Sequence, residues 1–184
     1  MAEYYLISQL PSLDGISENN PLPITEERFL ELCQRFLSKK SQSELGKLSL
    51  IPPRTPEKST STLIEKWNEG ERNLRFTLGK LRADKMDKSF DTENSSLSPA
   101  LLQAVHTAIE IENPMEAEKF LNNYRLDFLE TLRPMDSFSE EFVFYYGLKL
   151  KIIERIRNFD KSSGEKAYRN IYNSIMDGNK TEVM

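Results

Sequence analysis

Few side chains in these 184 residues are able to do covalent or metal chemistry: one histidine, His106 in "LLQAVHTAIEI", and one cysteine, Cys33 in "FLELCQRFL". A thiolate and an imidazole can act together as nucleophile and base, but only if the fold brings these two distant residues into contact. A zinc site would need further Cys or His ligands at close spacing, and neither residue has one nearby. Cys33 falls on the apolar face of its segment and reads as a small core residue; His106 reads as a helix histidine partly open to water. The carboxylate pairs Glu110/Glu112 and Glu116/Glu118 are two residues apart, so one helix points their side chains in different directions. Neither G-x-x-x-x-G-K-[ST] nor G-x-G-x-x-G occurs, and the common phosphate cradles are missing. No catalytic, cofactor-binding or metal residue is assigned, and no cofactor is expected. A small helical enzyme using His106 or clustered carboxylates stays open as a minor reading. It requires a pocket where those groups converge with shifted pKa values.

Charge gives a second set of candidates. Arg72, Arg75, Lys80, Arg82, Lys85 and Lys88 crowd one segment, where Glu65, Glu69, Glu71, Asp84 and Asp87 alternate with them. Mixed signs of this kind favour ion pairs along a helix, worth a few tenths of a kcal/mol each. The whole chain carries a net charge of −4, which argues against a general affinity for nucleic acid. Phe138, Phe142, Phe144, Tyr145 and Tyr146 are too many aromatics for one buried stripe. Some are expected to face a partner or a second domain, with core packing alone an equal alternative.

The elements that must position these residues are helices. Only 7 glycines and 9 prolines punctuate the chain, too few for many short strands. "ITEERFLELCQRFLSKK" sets Phe29, Leu32, Cys33, Phe36 and Leu37 on one helical face, with Thr25 as N-cap. "SQSELGKLSL" opens with a capping-box pattern, Ser41 to Glu44, and predicts a short helix. "IPPRTPEKSTS" is too rich in proline to be helical and reads as an extended connector. Thr62 to about Lys88 is the first long helix; Gly70 and Gly79 weaken it and suggest close packing against a neighbour. Ser98-Pro99 and Asn113-Pro114 each read as a cap followed by proline at the first helical position. A capping box at Ser137 to Glu140 opens a further long helix, and "GEKAYRNIYNSIMDG" a last one that stops at Gly178. The fold class is therefore all-α: a helical bundle of six or seven helices.

The opening run "YYLISQLPSL" is apolar but interrupted by Ser8, Gln9 and Pro11, preceded by Glu3, and followed by no small-residue cleavage site, so it does not read as a secretory signal. It is ambiguous between strand and helix, and is expected to lie buried against long helices. No stretch approaches the roughly 18 apolar residues that cross a bilayer. The mature chain is expected to begin near Met1, to be soluble, and, with Cys33 lacking an internal partner, to reside in a reducing cytoplasm.

"YYLISQLPSL", "WNEGERNLRFTLGKLRADK" and "NPMEAEKFLNNYRLDFLETLRPMDSFSEEFVFYYGLKLKIIERI", taken in this order, resemble a bacterial family without assigned activity whose members are encoded among the genes of a rotary V-type (archaeal-type) ATPase. That family is similar to the funnel-shaped socket subunit of the central stalk of these ATPases. The resemblance implies an all-helical, non-catalytic, socket-like protein between the membrane rotor ring and the central stalk. The implied partners are central-stalk and membrane rotor-ring subunits, with no nucleic acid and no direct membrane insertion. The implied location is cytoplasmic, peripheral on the cytoplasmic face of the inner membrane. "NLRFTLGKLR" and "YRLDFLETLR" share an L-x-x-L-R ending, a faint echo of the repeats in the socket subunit. That socket has three helical modules, whereas this chain has room for about two. It is a reduced version, a piece of a longer protein, or an accessory factor, and no functional residue is carried over.

The expected organisation is an N-terminal helical subdomain over 1–88, a polar linker over 89–98 ("SFDTENSSLS" from Ser89), a C-terminal helical subdomain over 99–178 and a flexible tail over 179–184. The expected function is that of a non-catalytic V-type ATPase-associated subunit. The alternative is a cytoplasmic helical adaptor or assembly factor in another complex.

Overall fold

The computed structural model describes residues 2–16, 21–55, 58–90, 98–158, 164, 166 and 168–172. Within them the chain is all-α, with no strand. Seven helices follow in order: α1 (Ala2–Ser8), α2 (Glu26–Phe36), α3 (Lys39–Leu45), α4 (Thr62–Lys85), α5 (Pro99–Glu110), α6 (Pro114–Thr131) and α7 (Glu140–Asn158). Residues 168–172 are also helical. The stretch 91–97, in the expected linker, and the expected tail 179–184 lie outside the described residues.

Local chemistry explains most helix boundaries. Thr25 caps α2, accepting from the Arg28 N–H, and Ser61, Ser98 and Asn113 cap α4, α5 and α6 in the same way. Pro99 and Pro114 occupy first-turn positions, where a missing N–H costs nothing. Two caps differ from expectation. Ser38, not Ser41, caps α3, because its side chain reaches the Ser41 N–H and the helix starts one turn earlier. Ser139, not Ser137, directly precedes α7, and its Oγ accepts from the Phe142 N–H at 3.3 Å. The long helix α4 ends three residues before Lys88. Asp87 turns into the left-handed region (φ 51°), and the Lys88 N–H then bonds back to the Ala83 carbonyl at 3.0 Å. That is a Schellman closure with aspartate where glycine is usual.

The buried apolar residues form two clusters. The larger gathers Leu6, Leu13, Phe29, Leu32, Cys33 and Leu45 with Ile64, Trp67, Leu129 and the inner face of α7. The smaller holds Leu74, Leu78, Leu101, Val105, Ala108 and Leu121. Both clusters therefore draw on residues from either side of 89–98. Helices α4 and α6 contribute to both, and each carries a charge where one cluster gives way to the other.

That charge is a buried ion pair. Arg125, 5 % exposed, donates through Nε and Nη2 to both oxygens of Glu71, 2 % exposed, at 3.0 and 3.1 Å. Arg75 adds a 2.8 Å bond to Glu71, and Asn122 accepts from Arg125 at 2.9 Å. Glu118 extends the chain, accepting from Arg125 at 3.3 Å and from Arg155 at 2.7 Å, so that α4, α6 and α7 are tied together. One residue before Glu71, Gly70 lets the helices approach: a Cβ there would stand 2.4 Å from the Phe128 ring. Gly79 is similarly crowded by Phe90, at 2.9 Å. The proline-rich connector and the residues leading into it are held through their backbone carbonyls, with Arg72 donating to that of Pro53 at 3.5 Å. Arg75 donates to the Leu50 carbonyl at 3.2 Å and Trp67 Nε1 to the Ser49 carbonyl at 3.1 Å.

Candidate docking surface

The residues with reactive chemistry are kept apart. His106 is exposed on α5, whose buried face joins the smaller cluster, while Cys33 is fully buried in the larger one, where burial pushes its thiol up to about 12. A thiol so protonated is a poor nucleophile. Among the described residues no group of three or more His, Cys, Asp or Glu is arranged to hold a metal ion. His106 thus stands on an open helix face, apart from the buried Cys33.

Aromatic residues instead mark a surface, built where α1 lies beside the turn into α7. The opening run is helical through Ser8, and a helix points successive side chains about 100° apart. Leu6 consequently faces inward and is fully buried, while Tyr4 and Tyr5 stand 54 % and 59 % exposed. This corrects the expectation that the whole run is buried. Tyr4 stacks on Phe138 with ring centroids 4.8 Å apart, and Tyr5 meets Tyr4 edge-on at 6.0 Å. Phe138 is itself 51 % exposed, and Met135 in the same turn is fully exposed. Of the five α7-region aromatics, Phe144, Tyr145 and Tyr146 are buried and Phe142 half-buried, which leaves Phe138 to face outward.

One helical turn further along both α1 and α7 lies a cavity of about 230 Å³, whose walls include Ile7, Leu10, Pro11, Phe142, Tyr145 and Lys149. Its polar edge is fixed. Lys149 donates to Asp14 at 2.6 Å and Glu130 at 2.7 Å, and Tyr146 donates to the Pro11 carbonyl at 2.8 Å. Burial works to lower the Lys149 ammonium, but the bonds to Asp14 and Glu130 outweigh it and hold it above its ordinary value. Tyr145 is pushed up to about 12 by burial and by donating to Glu130. Neither group is poised for proton transfer near neutrality. Lys149 anchors the segment after α1 onto α7, and both groups tie α7 to Glu130 of α6.

The surface is rimmed by acid. Glu3 adjoins Tyr4, Asp136 accepts from the Phe138 N–H at 2.9 Å, and Glu140 and Glu141 open α7. Burial raises the Glu140 carboxyl, and the neighbouring charges of Glu3, Glu141 and Glu44 add to it while Lys40 opposes. Glu141 is already engaged, accepting from Ser61 Oγ at 2.8 Å and from the Thr62 and Leu63 N–H groups at the start of α4. The excess of aromatics in the sequence is compatible with an outward-facing ring such as Phe138, but it does not point to Tyr4 and Tyr5. The signal available was the i, i+1 adjacency of two tyrosines beside Leu6.

Among the described residues, no helix is long and apolar enough to cross a membrane. The family model described as "Protein of unknown function (DUF2764)" matches residues 97–179, less than half of the chain. The matched stretch is similar to that family and holds α5, α6, α7 and Phe138, but not α1. No curated protein and no solved structure matches the chain.

Proposed function

We propose that this chain is a non-catalytic, V-type ATPase-associated subunit that works by docking, in the manner of the central-stalk socket that couples the rotor ring to the catalytic head. The observation that carries the docking half of this reading is the open Tyr5–Tyr4–Phe138 cluster, with two of its rings stacked at 4.8 Å and a cavity one turn away. Exposed aromatic side chains grouped on a rigid helical frame are the usual anchors of protein interfaces. The ATPase half is supported by the ordered resemblance of "YYLISQLPSL", "WNEGERNLRFTLGKLRADK" and the α6–α7 stretch. On this reading the protein lies at the cytoplasmic face of the inner membrane, held there by central-stalk and rotor-ring subunits and not by insertion. It binds neither nucleic acid nor a cofactor and turns over no substrate of its own.

Affinity capture of the tagged chain from native membranes tests this reading. Catalytic-head and rotor-ring subunits are expected to be recovered with it in fixed proportion. Recovery of the protein with a different complex would support the adaptor reading, and recovery free of any ATPase subunit would contradict the proposal.

A further inference from the structure

The docking surface joins rings to carboxylates. Tyr4, Tyr5 and Phe138 are each more than half exposed, and Glu3, Asp136 and Glu140 lie within two residues of them along the chain. Glu3 and Glu140 come from opposite ends of the sequence, yet they are close enough that the Glu3 charge helps raise the Glu140 carboxyl, after burial and together with Glu141 and Glu44. Cations answer only part of this field. Lys40 opposes it at Glu140, Lys47 bonds Glu44 at 2.7 Å, and the Glu3 carboxyl is lowered by its own N–H and by the chain's amino group. Arg133 is engaged elsewhere, over the Tyr145 ring at 5.8 Å and 3.8 Å from Glu130. Among the described residues neither Asp136 nor Glu140 has an ion-pair partner.

The rings supply the contact area and the carboxylates give it a sign. An aromatic face attracts a cation through its quadrupole, and Arg does this best. Carboxylates at the edge of the same surface select the same charge in whatever covers it. An anionic membrane leaflet, a common target of exposed tyrosines, is repelled by such a rim. The cavity one turn away, with Ile7, Leu10, Pro11 and Phe142 among its walls, gives room for an aliphatic side chain. We propose that the partner meets the Tyr4–Tyr5–Phe138 surface with a basic segment, its Arg or Lys side chains over the rings and toward Asp136 and Glu140, and an aliphatic side chain in the cavity. This rests on the docking reading of the surface, and not on the partner being an ATPase.

The test is fluorescence anisotropy of a labelled synthetic helical peptide built from Arg and Leu, titrated with the full chain, beside the same peptide with Glu in place of Arg. Three double variants accompany wild type, each checked for unchanged circular dichroism and melting. Tyr4→Ser/Phe138→Ser removes the rings, and Asp136→Asn/Glu140→Gln removes the charge while keeping the acceptor oxygens. Glu110→Gln/Glu112→Gln removes the same charge at exposed positions beside the smaller cluster. The Arg peptide is expected to bind wild type, more weakly as salt rises, and the Glu peptide and phosphatidylserine vesicles are not. The ring variant should weaken binding by at least about tenfold and the charge variant by about fivefold, with the control unchanged. Equal binding of both peptides, equal loss in the control, no binding of the Arg peptide, or preference for the vesicles each overturns the proposal. Capture from native membranes separates it from the reading it rests on. If ATPase subunits follow wild type and the charge variant alike but not the ring variant, docking stands and the basic partner falls. If the peptide pattern holds while no ATPase subunit is captured, the basic occupant stands and the ATPase reading falls.

Discussion

Glu71 is the residue whose loss should be felt most. Its carboxylate compensates the buried Arg125 guanidinium through two bonds and holds Arg75 through a third. Removing one partner leaves a charge in a site 5 % exposed, which costs about 3–5 kcal/mol in comparable buried pairs. Glu71→Ala should therefore lower the denaturation midpoint strongly, whereas replacing Glu71 and Arg125 together by Leu and Met should recover most of the loss. Equal damage from the single and double changes would mean that the pair holds the helices in place in a way apolar packing cannot replace. Gly70 makes a smaller and opposite test of helix propensity. Alanine is the better helix former by about 1 kcal/mol, yet its Cβ would meet the Phe128 ring, which stacks on Trp67 at 6.1 Å. Overpacking of about 1–3 kcal/mol should win, so Gly70→Ala is expected to destabilise. A raised midpoint would show that the ring moves away at little cost. Glu44 gives a pH signature. Its bonds to Lys47, and then to Ser59, hold its carboxyl below the ordinary 4.5. A depressed folded value means that its contribution is fully present above the unfolded pKa and is lost as pH falls through the folded one. The melting temperature of wild type should fall more steeply in acid than that of Glu44→Gln; parallel curves would remove Glu44 from the acid response.

At the scale of elements, α1 is the most informative. It inserts Leu6 at 0 % exposure, the following segment adds Leu13 at 5 %, and Tyr146 bonds the Pro11 carbonyl between them. Burying two leucines is worth roughly 3–6 kcal/mol, and in a domain of this size each kcal/mol moves the midpoint by about 2–4 °C. Deleting residues 1–13 should lower the melting temperature by roughly 10 °C or more, or give an aggregating chain. An unchanged melting temperature would make α1 a docking arm outside the core. Helix boundaries were largely legible in the sequence because caps are local. Thr25, Ser98-Pro99 and Asn113-Pro114 each announce themselves within four residues. The errors at Ser41 and Ser137 have the same origin, since "SKKSQSE" and "SFSEE" each hold more than one serine at capping distance and only the packed helix decides which is used. The type of "YYLISQLPSL" was not legible, because a short apolar run fits strand and helix equally.

At the scale of the molecule, what escapes the sequence is pairing across distance. Glu71 and Arg125 sit in different helices, amid charges of both signs, and nothing in the local pattern distinguishes them from solvated residues. The two apolar clusters are equally hidden: each combines residues from both sides of the polar stretch at 89–98, so chain order does not reveal which helices share a core. The docking surface was half legible. An excess of aromatics in "FSEEFVFYY" fits an outward-facing ring and core packing equally, and the partnership of Phe138 with Tyr4, over a hundred residues earlier, is a product of the fold. On the proposed function, this surface recruits the protein to a V-type ATPase. The direct measurement is quantitative capture from native membranes of wild type beside Tyr4→Ser/Phe138→Ser, each brought to the same level and shown to melt alike. Loss of two interface anchors should cost at least about 2 kcal/mol, a reduction of roughly thirtyfold in affinity. ATPase subunits are expected with wild type, and a near-complete loss of them with the variant. Equal recovery of the ATPase by both proteins, or its absence from both, would contradict the proposed role.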